Sequence, residues 1–212
     1  ISIRRQIADK TPTKPQPNPN QTEAISVMSQ GEIKPKLLRT VVLVGMMGSG
    51  KTAIGRALSA ALEVPFLDSD AAIEEAATQT IPEIFARDGE AFFRKREAEV
   101  IDRLLSGPPA ILSTGGGAFL SEPTRELVAR KAVAVWLDAD LATLWERVRH
   151  KNTRPLLQTD NPLGTLTNLF KIRAPVYALA QIHVRIAPDA SIDETTRTVL
   201  SVLAQDPTVL EI

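Results

Sequence analysis

Hydrophobic positions along the chain switch between two periods from Thr40 onward. The apolar, β-branched run Val41-Val42-Leu43-Val44 reads as a buried strand, and Ala53 to Leu62 then repeats apolar residues at helical spacing. Val64-Pro65-Phe66-Leu67 reads as a short strand ending at Asp68-Ser69-Asp70, with a helix over Ala71 to Thr78. Thr80-Ile81-Pro82-Glu83 supplies a capping residue, a proline and an acid for the first turn of a longer helix. Its apolar positions continue through Ile84, Phe85, Phe92, Val100, Ile101 and Leu104, broken by the turn signal Asp88-Gly89 and stopped by Gly107-Pro108-Pro109. Strands are predicted at Ala110–Ser113 and Ala132–Leu137, and a helix over Asp140 to His150. Lys151 to Pro162 has no periodicity. Beyond it the pattern predicts a helix over Leu163 to Ala180, a strand over Ile182 to Ile186 and a closing amphipathic helix over Ile192 to Ala204. Five short strands separated by helices, with no internal repeat, predict an α/β fold: a three-layer α/β/α arrangement around a five-stranded parallel sheet with right-handed crossovers. In such a sheet ligands bind at the carboxyl ends of the strands.

Residues 1–39 depart from this pattern. Pro12, Pro15, Pro17 and Pro19 interrupt polar residues, and such a segment buries too little apolar surface to offset its ordering entropy. A disordered N-terminal extension over 1–39 and one domain over 40–212 are therefore expected. The formal charge of zero divides into about +4 on the extension and about −4 on the rest: seven Lys/Arg (Arg4, Arg5, Lys10, Lys14, Lys34, Lys36, Arg39) stand against Asp9, Glu23 and Glu32 before residue 40. An acidic domain offers nucleic acid no electrostatic footprint. A 43% apolar and 24% charged composition is that of a globular domain, and no apolar run is long enough to span a bilayer. The chain has no cysteine, which excludes disulfides and thiolate metal sites; with no secretory pattern, the expected address is cytoplasmic.

Candidate chemistry sits where the predicted strands end. Gly45-Met46-Met47-Gly48-Ser49-Gly50-Lys51-Thr52 satisfies G-x-x-x-x-G-K-[ST], with a strand before it and a helix after it. Glycines let successive N–H groups turn toward phosphate oxygens, the helix start adds partial positive charge, Lys51 can reach the β- and γ-phosphates, and the Thr52 hydroxyl can ligate Mg²⁺. Asp68-Ser69-Asp70 and Thr114-Gly115-Gly116-Gly117 also follow strands directly, so the topology carries all three to one crevice. One carboxylate there can hold a nucleotide-bound metal through water and a second can orient or deprotonate an attacking hydroxyl; both could equally cap the next helix. Arg94, Arg154 and Arg173 are the candidate countercharges, with Arg154 in a polar loop suited to a mobile lid. Lys95, Arg96 and Arg147 have no comparable context. His150 and His183 lack a partner pattern, so no histidine metal site is predicted.

Taken in series, these residues carry a resemblance. Gly45–Thr52, Asp68-Ser69-Asp70, Gly89-Glu90 with Phe93-Arg94 and Glu97, Thr114–Gly117, Arg154-Pro155-Leu156 and Arg173 with Tyr177 occur in the order and approximate spacing of shikimate kinases. The chain resembles that family from Thr40 to about Ala204. The resemblance implies a P-loop fold of the nucleoside-monophosphate-kinase kind, with a lid over about 151–162. It implies ATP-dependent phosphorylation of the 3-hydroxyl of shikimate, a step toward chorismate and the aromatic amino acids, by a monomer that uses Mg²⁺ and engages neither nucleic acid nor membrane. By that likeness Gly48, Ser49, Gly50, Lys51, Thr52 and Ala53 hold ATP, with Arg154 closing over it; Thr52 and Asp68 hold the metal; and Lys51, Asp70 and Arg154 are catalytic. Asp70, Arg94, Gly115, Gly116, Gly117 and Arg173 bind shikimate, with Glu97 one turn on holding Arg94. Two departures stand out. Ala53 replaces a second hydroxyl residue after the lysine, and no arginine lies near Ala187-Pro188-Asp189, where the family closes over adenine. Kinases of the same fold for gluconate or nucleoside monophosphates, and a regulator that has lost catalysis, are the alternatives.

Overall fold

The computed structural model describes residues 35–150 and 155–212. The first described element is a two-residue strand, β1 (Lys36–Leu37), followed by β2 (Thr40–Val44), whose five residues are all buried. Helix α1 (Lys51–Leu62), strand β3 (Phe66–Asp68) and helix α2 (Ser69–Ala77) come next. Helix α3 (Ile81–Leu105) starts with the reciprocal Thr80–Glu83 capping box and bends at Gly89 (φ 78°, ψ 175°), where the Asp88-Gly89 turn signal lies. Strand β4 (Ile111–Ser113), a 3₁₀ turn (Ala118–Leu120), helix α4 (Glu122–Lys131), strand β5 (Ala132–Asp138) and helix α5 (Leu141–Val148) follow. A second 3₁₀ turn (Pro155–Leu157), helix α6 (Pro162–Tyr177), strand β6 (Ile182–Arg185), helix α7 (Ile192–Leu203) and strand β7 (Leu210–Glu211) complete the described chain.

The five-stranded sheet is wholly parallel in the order β3-β4-β2-β5-β6. This is the expected architecture. β2 lies at the centre with all five residues buried, and its register sets Leu43 beside both Ser113 and Val135, with Asp68 beside Ser113 in turn. The C-terminal ends of β2, β3 and β4 thus share one edge, and the chain crosses from one side of β2 to the other at that point, the usual place for a ligand crevice. One continuous core fills the space around the sheet, while Ile73, Ile84 and Phe93 form a separate small cluster between α2 and α3. Among the described residues no helix is long and apolar enough to cross a membrane.

Two features fall outside the sequence expectations. Helix α4 is one of them; only Thr124, Leu127 and Val128 are buried in it, too few for a clear period, although Ser121, Pro123 and the basic last turn are start and stop signals. The other is the boundary at 39/40. β1 pairs antiparallel with β7, Leu37 is 4% exposed within the main core, and Arg39 donates to the carbonyl of Ala132 at 2.7 Å. The fold therefore reaches back at least to Lys36, and the rest of the expected extension lies outside the described residues. Truncating Leu37 removes a buried leucine from a packed core, so Leu37→Ala should cost about 2–4 kcal/mol. Urea unfolding of the full chain measures it, and a loss below ~0.5 kcal/mol would return residues 36–39 to the extension.

Candidate active site

The loop after β2 is shaped by its glycines at two places in particular. Gly48 (φ 84°) has no room for a β-carbon, which would stand 2.8 Å from a Val148 methyl, and Gly50 (φ 93°) turns the chain into α1 from the left-handed region. Gly50 caps α1 without a side-chain hydrogen bond, whereas α2, α3, α5, α6 and α7 each begin on a side-chain cap. The first N–H groups of α1 are therefore presented to the crevice rather than to a side chain, which suits an anion. Lys51 reaches back over the loop and donates through Nζ to the carbonyls of Gly45 (2.9 Å) and Met46 (3.1 Å). A cleft of about 460 Å³ is lined by Gly48, Gly50, Lys51, Thr52 and Ala53 on this side and by Asp68, Asp70, Thr114, Gly115 and Gly116 on the other. Ser49 is buried beneath the loop, its N–H closing the turn onto the carbonyl of Met46 at 3.2 Å.

Residues from later elements finish this cleft. Arg147, on α5, donates to the carbonyl of Gly48 at 3.4 Å and lines the cleft; the sequence offered it no motif, because only the adjacency of β5 to β2 brings α5 to the loop. Ala190, Ser191, Ile192 and Thr195 line the far end. The segment Ala187-Pro188-Asp189 thus leads to a wall of apolar and hydroxyl groups, and the cation on this side comes from α5.

The two acids of Asp68-Ser69-Asp70 divide their work. Asp68 caps α2, its Oδ1 accepting from the N–H groups of Asp70 (3.0 Å) and Ala71 (3.4 Å), while the same side chain lines the cleft. Capping and a cleft-facing carboxylate are therefore combined in one residue. Asp70 presses against Gly115 so closely that a β-carbon there would stand 2.6 Å from its Oδ1. Burial, and then the charge of Asp68, raise the Asp70 carboxyl above its ordinary 3.8, with Lys51 acting in the opposite sense. Ser69 is fully buried and its Oγ accepts from the Gly115 N–H at 3.2 Å, tying the loop after β3 to the loop after β4.

A second cleft of about 650 Å³ opens on the other side of Asp70. Its walls carry Arg94, Arg173, Gly115–Gly117 and the rings of Phe85 and Phe93. Arg94 Nη1 donates to Glu97 at 2.7 Å, and Nη2 reaches Glu90 at 3.3 Å; Glu97 is 1% exposed. Burial opposes the Arg94 charge, but the two carboxylates outweigh it and leave the guanidinium still harder to deprotonate. For Glu97 burial raises the carboxyl and Arg94 pulls it back. At Gly117 a β-carbon would stand 2.7 Å from Arg94 Nη1, so the arginine occupies space that only glycine leaves. Gly116 is different: its β-carbon would meet nothing closer than 3.7 Å, and its carbonyl instead accepts from the hydroxyl of the buried Tyr177. Burial raises the Tyr177 pKa, which keeps it a neutral donor.

Of the expected residues, Gly48, Gly50, Lys51, Thr52, Ala53, Asp68, Asp70, Arg94, Gly115, Gly116, Gly117 and Arg173 line one or both clefts, and Ser49 lies beneath the loop. Asp70, Met47, Gly115 and Gly116 line both clefts and form the passage between them. Arg154 and the lid residues 151–153 lie outside the described residues. Arg147 is an addition, while Ser69 and Tyr177, named in the sequence only as members of their motifs, acquire defined contacts; all three act between elements distant in sequence.

Comparison with known proteins gives a consistent result. The shikimate kinase family model matches residues 47–204. The shikimate kinase of Ruegeria pomeroyi is 57% identical over 176 residues, 83% of this chain and 90% of that protein. That of Cereibacter sphaeroides is 54% identical over 180 residues, 85% of this chain and 90% of its own. Among solved structures, shikimate kinase from Acinetobacter baumannii in complex with shikimate superposes with a TM-score of 0.74 at 37% identity, over 79% of this chain and 94% of that one.

The Asp70 environment has a measurable consequence. The folded state holds a proton at Asp70 more tightly than the unfolded chain does, so stability declines as pH rises from 3.8 through the raised folded value. Asp70→Asn removes that decline. The ligand-free variant should unfold at a higher temperature than the parent at neutral pH, and the two should converge below pH 3.8. A difference that stays constant across pH would show that burial of the charge is not what separates them.

Proposed function

The chain belongs to the shikimate kinase family, and from that premise we propose that its two clefts bind ATP and shikimate on either side of Asp70. It transfers the γ-phosphoryl group of ATP to the 3-hydroxyl of shikimate, giving shikimate 3-phosphate and ADP. The observation that carries the residue assignment is that, among the described residues, Asp70 is the one acid lining both clefts. An acid in the passage between donor and acceptor is where a proton-accepting group must stand.

Each group then has a task that follows from its chemistry. The glycine-turned loop and the start of α1 cradle the phosphates. Lys51 exchanges its loop carbonyls for the transferring phosphoryl oxygens, supplying charge where negative charge spreads in the transition state. Arg94 and Arg173 hold the acceptor carboxylate, Arg94 with its guanidinium already oriented by Glu97. Gly115–Gly117 let backbone come close to the ring hydroxyls. Asp70 accepts the hydroxyl proton as the oxygen–phosphorus bond forms and the bond to the ADP oxygen breaks; its raised proton affinity suits a base. Arg154 is proposed to add positive charge from the lid.

The donor set fits a hard cation. Thr52 and Asp68 offer only oxygens, and Asp68 Oδ1 is engaged by the α2 cap. Among the described residues no group of three acids or histidines forms a cage, which suits an ion carried largely by phosphates and water. Thr52 and Asp68 would hold Mg²⁺, whose chemistry is to neutralise the phosphates. A monomer is proposed, acting in the cytoplasm where its ATP is supplied.

The test is coupled ADP release with shikimate as acceptor, beside gluconate and nucleoside monophosphates. Turnover with shikimate alone is expected; turnover only with another acceptor would overturn the assignment. Asp70→Asn should lower kcat by about 10²–10⁴-fold while leaving ATP affinity nearly unchanged. Arg94→Ala should raise the shikimate KM at least about tenfold with little change in that for ATP, the loss of one charge-assisted clamp. Equal effects on both substrates would remove Arg94 from the clamp.

A further inference from the structure

Helix α3 presents different residues to two different clefts. Phe93, Arg94 and Glu97 face the acceptor side; Phe92, Arg96, Glu99, Val100 and Arg103 line a third cleft of about 490 Å³ between α2 and α3. The reaction uses none of the residues in this rear cleft. Its floor is apolar, formed by the buried Ile73 and Ile84, with Val100, the Phe92 ring and the exposed Ala76 and Ala77 around them. Its rim is cationic: Arg87, Arg96 and Arg103 stand against the single carboxylate of Glu99.

Those three cations are not equivalent. Arg87 is neutralised by Asp88 at 2.6 Å, and Arg96 by Glu99 at 2.6 Å while its guanidinium lies 5.1 Å from the centre of the Phe92 ring. Among the described residues Arg103 meets no carboxylate, although it lies on the same helix face as Arg96, two turns along. An apolar floor beside an uncompensated guanidinium is complementary to a ligand with an apolar body and one negative end. The segment 1–34 is a poor match, because its five Lys/Arg against three acids give it the same sign as the rim.

We propose that this rear cleft is a second ligand site, which binds a small aromatic monocarboxylate with its ring on Phe92 and Ile84 and its carboxylate on Arg103. The site touches the acceptor pocket through one layer of side chains. Ile73 and Ile84 on its floor pack in the same small cluster as Phe93, whose ring lines the acceptor side 4.5 Å from that of Phe85. Occupancy therefore repositions the wall on which Arg94 is mounted, and it changes the apparent affinity for the acceptor. Binding itself is independent of the reaction assigned above; the effect on acceptor affinity rests on that reading.

The probe is 3-phenylpropionate, with 3-phenylpropanamide as its uncharged counterpart. Both are titrated into full-length protein carrying labelled isoleucine methyls, with shikimate and ADP saturating. The acid should shift the Ile73 and Ile84 methyl signals saturably and leave that of Ile54, in the nucleotide cleft, in place. The amide should bind about tenfold or more weakly, and Arg103→Glu should weaken the acid to the same degree without altering basal turnover. Arg103→Gln serves the same purpose if the charge reversal fails to fold. Equal binding of acid and amide, an unchanged response in the Arg103 variant, or shifts that appear only when shikimate is left out would each overturn the site. The last outcome would place the probe in the acceptor pocket. In a separate turnover assay with ATP and varied shikimate, 3-phenylpropionate over the same concentration range should change the shikimate KM; absence of any shikimate turnover would instead count against the reaction and leave the binding result standing.

Discussion

Asp70 can approach Gly115 only because that glycine has no side chain, and much of the site depends on this contact. With a β-carbon at 115 only 2.6 Å from Oδ1, the Asp70 carboxylate could not keep its present position against the loop after β4. The Ser69 hydroxyl, fully buried, holds the same two loops together from behind through the Gly115 N–H. One close approach thus places a carboxylate in the passage between two clefts, and the parallel register that aligns Asp68 with Ser113 makes it possible. The energetic cost falls on the carboxylate, which is partly desolvated and stands near a second acid. A group held in that condition gains when a cation or a proton arrives, which is what a phosphoryl-transfer site offers it.

Arg94 is governed by a different balance. Glu97 is almost wholly buried beside an apolar cluster, and an ion pair in such a place gains little net stability because both charges lose water. What the pair does supply is direction. The guanidinium is fixed by Glu97 at 2.7 Å and fills the space that Gly117 leaves, so it has little rotamer freedom to lose when a carboxylate binds. The bend at Gly89 begins the helical segment that carries both residues, and there the positive φ costs nothing in packing, since a β-carbon would meet no neighbour.

How much of this was legible follows from the range of the interactions involved. The loop Gly45–Thr52, the acids at 68 and 70 and the glycines at 115–117 announce themselves because each sits at a strand end, where the local pattern changes period. The pairing of Arg94 with Glu97 comes from the family resemblance, and helical spacing agrees with it while equally allowing the contact with Glu90. Arg147 could be placed by neither, since its neighbourhood is made by β5 lying beside β2, with Gly48 and Arg147 ninety-nine positions apart. The strand pair β1–β7 was equally hidden: two-residue strands carry no period of their own, and their partners lie at opposite ends of the described chain. Helix α4 was obscured because three buried positions in ten leave the helical period faint.

The nucleotide cleft brings these strands of reasoning together in its treatment of hydrogen bonds. Five other helices start on a side-chain cap, worth about 1 kcal/mol each, yet α1 begins on a left-handed glycine that offers no acceptor. Lys51, the nearest cation, is turned onto carbonyl oxygens of its own loop. Both arrangements forgo stability in the ligand-free chain at positions where a polyphosphate would restore it: the N–H groups gain an anionic acceptor, and the lysine exchanges two neutral acceptors for charged ones, a stronger class of bond. Selectivity for an anion over water then follows without any further residue. Ala53, where the family resemblance leads one to expect a hydroxyl, withdraws one neutral side-chain contact from this set and leaves the backbone donors and the lysine, the charged part of the site, intact.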